Sequence, residues 1–148
     1  MIQFATTPGS VRAGTVGPAT GDVWLQFGDT AFPVDGWNDF VVVVLEAYAC
    51  ALIRLLEGNG DRQLVHFLEG PYSVEVSGSR EFLTLRALEN DRIERAVAET
   101  DAAALVQSLL VGADAVLNQC REIGWESTDT DKLAGTLGEL RRLVGEHV

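Results

Sequence analysis

Histidine and cysteine occur twice each and lysine once in this chain of 148 residues, so the side chains that most often bind metals, shuttle protons or form covalent intermediates are scarce. Cys50 and Cys120 lie 70 positions apart, with no CxxC spacing for a redox pair or zinc site. Each falls in an apolar helical stretch, where a free cysteine behaves as a small buried hydrophobe. One disulfide between them stays open, but a single pair is no secreted framework. A Walker-type loop, a GxGxxG turn after a strand, HExxH and GxSxG are all missing. The opening MIQFATTPGS has neither the basic stretch nor the apolar run of a signal peptide. Glu46 and Arg54 interrupt the longest apolar segment, which argues against a membrane span. These absences lead us to expect a cytoplasmic, non-enzymatic protein with no cofactor and no metal.

What is abundant is negative charge. Twenty-two acids against eleven bases, ten of them arginine, leave a net charge of −11. Such a field repels nucleic-acid phosphate and anionic lipid, so neither nucleic acid nor membrane is an expected partner, whereas a basic protein is. Apolar residues make up 47% of the sequence, enough to build a core without staples in one domain spanning residues 1–148. No internal repeat or low-complexity tract divides it.

Hydrophobic periodicity gives an element order of β–β–α–β–β–β–β–α–α. Residues 1–34 read as short strands separated by Pro8-Gly9, Gly17-Pro18 and Gly21-Asp22, with Val23, Leu25 and Phe27 on one face. FVVVVLEAYACALIRLLEG follows, with Asp35 or Asn38 as its N-cap and Gly58 as its stop. Its valines favour a strand, but a length of about 20 residues decides for a helix, apolar nearly all round and therefore central. Leu64–Leu68, Tyr72–Val76, Phe82–Leu88 and Ile93–Ala98 form a four-stranded meander, the last segment being compatible with helix as well. Asn90-Asp91 suits a tight hairpin. Thr100-Asp101 caps a helix whose stripe is Leu105, Leu109, Gly112, Val116, Cys120 and Ile123, with Gly124 as stop. A box of Thr128 and Asp131 opens the final helix, lined by Leu133, Leu137, Leu140 and Val144. The fold class is α+β: an antiparallel sheet, made of the meander plus the N-terminal strands, packed against a long central helix and two C-terminal helices.

Few residues qualify for chemistry. His66 shares a strand face with Leu64 and Leu68, so a partly buried structural histidine is expected, and a pocket between sheet and helices near His66 is the alternative that would make this a small-molecule binder or enzyme. His147, next to the chain end, is expected to be inert. Cys50 and Cys120 look buried, which disfavours nucleophilic roles. Glu122, Glu126, Asp129 and Asp131 lack the ordered ligand spacing of a cation site and suit a helix start.

The distribution of charge is more telling. No Lys or Arg occurs from Ala13 to Ile53, whereas Asp22, Asp29, Asp35, Asp39 and Glu46 do. Four of these acids fall in loops or at a helix start, near Trp24, Phe32 and Trp37. Acids beside aromatics make a surface that attracts and then anchors a basic partner, so Asp22, Asp29, Asp35, Trp37 and Asp39 are the candidate partner-binding residues. The competing reading has the acids solubilising the surface while the aromatics pack beneath the long helix. Oligomerisation through apolar helix faces is a third possibility.

Phe32-Pro33, Trp37-Asn38-Asp39-Phe40 opening a long apolar helix, Gly70-Pro71-Tyr72 at a strand start and Cys120…Gly124-Trp125 together resemble small bacterial immunity proteins of polymorphic toxin systems. The resemblance spans most of the chain as an order of elements. It implies a compact inhibitor whose acidic face meets a basic toxin and occludes its active site. That broad class shares no universal binding motif, so no functional residue is carried over.

Overall fold

The computed structural model describes residues 1–15 and 17–146, and His147 lies outside them. Among the described residues, two antiparallel sheets and three helices enclose one continuous core. The first sheet contains β1 (Ile2–Thr6), β2 (Gly21–Phe27), β3 (Thr30–Phe32) and β4 (Asn38–Asp39). Strand β2 is its centre: β1 runs along one side, and β3 and β4 pair with successive stretches of the other. Val23, Leu25 and Phe27 are all buried, as their alternation requires. These strands do not extend the meander. They fold into a sheet of their own.

The helix α1 (Val41–Leu56) crosses the centre and buries most of its circumference, from Val41 and Leu45 to Leu52 and Leu56, while one stripe of Val43, Ala47, Cys50 and Arg54 stays half-buried or exposed. A helix apolar over so much of its surface packs into the core along all but that stripe. Neither Asp35 nor Asn38 caps it: Phe40 occupies the N-cap, without a side-chain hydrogen bond to the first turn. Its other end follows the expected pattern, with Gly58 at a φ of +79°.

The second sheet is the meander β5 (Arg62–His66), β6 (Tyr72–Gly78), β7 (Phe82–Glu89) and β8 (Ile93–Asp101), in that spatial order. The segment open to both readings is therefore strand. Asn90 and Asp91 adopt φ values of 55° and 59°, the paired left-handed conformation of a two-residue hairpin. Val65, Val74, Ala87 and Ala96 form one inward row across the four strands, while Leu64, Glu75, Arg86 and Val97 form an outward one. His66 belongs to the outward set. It is exposed with Leu64 and Leu68, because Val65 and Phe67 take the core side.

Helices α2 (Ala102–Glu122) and α3 (Thr128–Glu146) complete the core. Asp101 caps α2 through the Ala103 N–H at 2.9 Å. Leu105, Leu109, Gly112, Val116 and Cys120 are buried as their spacing implies, but Ile123 lies past the last turn and is 46% exposed. By length and composition α2 is apolar enough to cross a membrane; here its stripe packs on β1 and α3. The cap of α3 is shifted by one residue from Thr128 and Asp131. Ser127 Oγ accepts from the Asp129 N–H at 3.1 Å, and Thr130 Oγ1 accepts from the Ser127 N–H at 2.9 Å. A threonine thus closes the reciprocal box that an acid was expected to close. Leu133, Leu137 and Leu140 are buried and Val144 half-buried.

Gly78 ends β6 at a φ of +126°, and a Cβ there would collide with the Phe82 carbonyl across the turn. Gly78→Ala is expected to destabilise the fold by about 1–3 kcal/mol, read as a lower urea midpoint at unchanged m-value.

Candidate functional site

The most densely connected polar group is the Asp39 carboxylate, which is fully buried. Its Oδ1 accepts the Phe40 N–H at 2.7 Å, and its Oδ2 accepts the Trp37 indole N–H at 2.9 Å. The same Oδ2 accepts the backbone N–H groups of Leu68 at 3.0 Å and Glu69 at 3.3 Å. All four partners are donors, so both carboxylate oxygens act as acceptors. One side chain ties the loop before α1 to the loop between β5 and β6. Around it Trp37, Phe32, Phe67 and Tyr72 meet edge-to-face, with Trp37 and Tyr72 centroids 5.4 Å apart. Gly70 packs directly on the Trp37 ring. Phe32, Trp37, Asp39, Phe40 and Gly70-Pro71-Tyr72 thus meet at one place, whereas Cys120, Gly124 and Trp125 belong to the C-terminal end of α2.

Near this junction the chain presents the half-buried Asp22 and the exposed Asp35 and Glu69. Asp22 accepts the Asn38 side-chain amide at 3.1 Å, and Gly36 lies against its carboxylate, which puts Asp35 in the adjoining turn. Glu69 stands exposed on the loop that Asp39 holds. Half-buried Trp37 and the exposed side chains of Val34 and Leu68 add apolar surface between these acids. Among the described residues, no Lys or Arg forms an ion pair with Asp22, Asp35 or Glu69. Of the meander arginines, Arg86 pairs with Glu75 and Glu94, Arg95 with Glu89 and Arg62 with Glu75, whereas Arg92, in the hairpin whose Asn90 N–H donates to the Pro71 carbonyl, has no ion pair among the described residues.

Of the five candidate residues, the structure thus brings Asp22, Asp35 and Trp37 together. Asp29 is exposed at the far end of β2, roughly 20 Å away along a strand rising ~3.3 Å per residue. Asp39 belongs to the junction but is enclosed, with its oxygens already satisfied, so no partner can reach it. Trp24 lies on the outward face of β2, where its indole donates to Gln26 at 3.1 Å. Glu69 is the acid that sequence reasoning missed. Its place directly before Gly70-Pro71-Tyr72 was visible, but not the fold that carries it to Trp37.

Local partners occupy Cys50 and His66, whereas the buried Tyr48 hydroxyl and Glu46 Oε2 have no hydrogen-bond partner among the described residues. Cys50 is half-buried rather than buried, and it donates to Glu46 Oε1 at 3.1 Å. Burial, reinforced by that carboxylate, pushes its thiol up to about 11, so it is protonated at neutral pH. Burial raises the Cys120 thiol as well, and both cysteines are free. His66 Nε2 lies 3.1 Å from Asp91 Oδ1, on the rim of an open groove rather than in an enclosed pocket. Tyr48 is fully enclosed, and burial followed by the negative charge of Asp39 holds its hydroxyl well above the ordinary value. Among the described residues, no cluster of three or more His, Cys, Asp or Glu side chains is arranged to hold a metal.

No family model, curated protein or solved structure matches the chain.

Two outcomes follow from this geometry. Asp39→Asn keeps the shape but turns one acceptor into a donor facing other donors, so it should cost on the order of 3 kcal/mol, nearly as much as Asp39→Ala, in equilibrium unfolding. Asp91 is held below its ordinary 3.8 first by the Ser73 hydroxyl, which donates at 2.6 Å, and then by His66. Its carboxylate form therefore favours the folded state above that range, an effect lost as the pH falls through the lowered value. Ser73→Ala should move the Asp91 carboxyl titration, followed by NMR, upward.

Proposed function

We propose that this chain is a non-enzymatic protein-binding module, of the kind represented by immunity proteins, which captures a basic partner protein and neutralises it by covering its working surface. The observation that carries this reading is the group of carboxylates without a Lys or Arg partner among the described residues, exposed Asp35 and Glu69 with half-buried Asp22, around the rim of Trp37, Val34 and Leu68. Acids without internal counterions direct their field outward and steer a cationic surface into encounter. Apolar side chains among them supply the desolvated contact that holds it. The Asp39 bonds fix the two loops beforehand, so little ordering entropy is lost on association.

The partner is sought first among basic products of genes adjacent to the one encoding this chain. With such a partner in hand, a triple Asp22→Lys, Asp35→Lys, Glu69→Lys variant should bind at least tenfold more slowly at low salt, with a flatter salt dependence. Asp29→Lys, at the far end of β2, serves as the control and should change the association rate much less. An unchanged rate in the triple variant, or binding by none of the basic neighbours, would overturn the reading.

A further inference from the structure

The same loop end is continuous with a second feature, the free edge of β5. Two backbone hydrogen bonds fix which groups of β5 face that edge. The Phe67 N–H donates to the Tyr72 carbonyl at 2.9 Å, and the Gly78 N–H donates to the Asp61 carbonyl at 3.1 Å. In an antiparallel ladder, bonded and non-bonded pairs alternate. The pairs Gln63–Val76 and Val65–Val74 are therefore bonded, and Arg62, Leu64 and His66 turn their N–H and C=O groups away from β6. The next outward N–H, that of Leu68, is already taken by Asp39. Beside this edge runs an open groove of about 370 Å³, walled on its far side by Ala47, Cys50, Ala51 and Arg54, which recur on one face of α1. Leu64 and Leu68 are exposed along its near side.

Unpaired backbone groups beside an apolar channel match an extended polypeptide, because only a strand presents donors and acceptors at the same repeat. We propose that this groove seats an extended segment of the partner protein, which adds to the meander as a strand beside β5. Alternate side chains of the segment pack against Ala47, Cys50 and Ala51 on one side and beside Leu64 and Leu68 on the other. Where the segment passes Leu68 it meets Glu69, with Asp22 and Asp35 on the neighbouring loop, so its residues there are Lys or Arg. A second copy of this chain fits poorly: antiparallel pairing of two β5 strands about Leu64 sets Arg62 against His66, and it brings together two bodies of net charge −11. The other edge, β8, carries a register irregularity at Ala87/Leu88 and the charges of Glu94, Arg95 and Glu99, which guard it against pairing. The proposal rests on the binding-module reading and names the form its partner takes.

The test selects a phage-displayed library of random linear decapeptides on the full chain. Enriched peptides should alternate apolar residues and carry Lys or Arg toward one end. Their binding should shift the amide resonances of Arg62, Leu64 and His66. Leu64→Pro deletes one outward N–H without breaking a ladder bond, and should weaken binding roughly tenfold relative to Leu64→Ala, which keeps it. Ala47→Trp, at an exposed helix position, should block the groove without disturbing the core. No enrichment, or peptides indifferent to both Leu64→Pro and Ala47→Trp, would overturn the proposal. A partner whose binding responds to the three acid reversals but not to these variants would overturn it while leaving the binding-module reading intact.

Discussion

The organisation of this molecule turns on a carboxylate withdrawn from solvent. Burying an ionised group is costly unless its hydrogen-bonding capacity is met, and each oxygen of Asp39 finds N–H donors. Those donors belong to segments about 30 positions apart in sequence, so the bonds close a long loop as well as satisfy a charge. With them in place, the start of α1, the Trp37 ring and the turn before β6 form one unit. Remove the acceptor and the Leu68 and Glu69 amides, the indole N–H and the α1 entry all lose their partner at once.

The same junction explains how two separate sheets act as one body. Phe32 at the end of β3 meets Phe67 and Tyr72 from the meander, Tyr48 of α1 packs edge-on against both Phe4 of β1 and Phe67, and these contacts lie close to the Asp39 bonds. Away from it, α1 and the stripes of α2 and α3 fill the core with aliphatic side chains. Polar tertiary bonds are densest at the junction end, although Ser108 and Gln119 of α2 also accept the Phe4 and Val11 N–H groups. That end also carries the exposed acids, and the free edge of β5 starts there.

Periodicity made most of the architecture legible. The four valines of α1 did not mislead, because the length of the apolar run outweighed local strand preference, and Asn90-Asp91 announced its hairpin through residues that tolerate left-handed backbone. What periodicity could not convey was which side of a strand faces the core when both sides carry apolar residues. Leu64, His66 and Leu68 matched an inward pattern as well as Val65 and Phe67 did, and only packing against α1 separates them. Nor could it distinguish an acid in a loop that meets solvent from one that tertiary contacts enclose. Asp35 and Asp39 look alike in sequence; one is exposed and the other is a structural hub. Glu69 illustrates the converse, an acid unremarkable in its own segment that acquires a role through a neighbour about 30 residues earlier.

If the loop end is preorganised rather than assembled on contact, its backbone must already resist opening in the free protein. Native-state hydrogen exchange at the Leu68 and Glu69 amides measures this directly. The account predicts protection approaching that of the core strand amide of Val74, since both donors are locked onto a buried carboxylate. Exchange at the rate of an unprotected surface loop would contradict it.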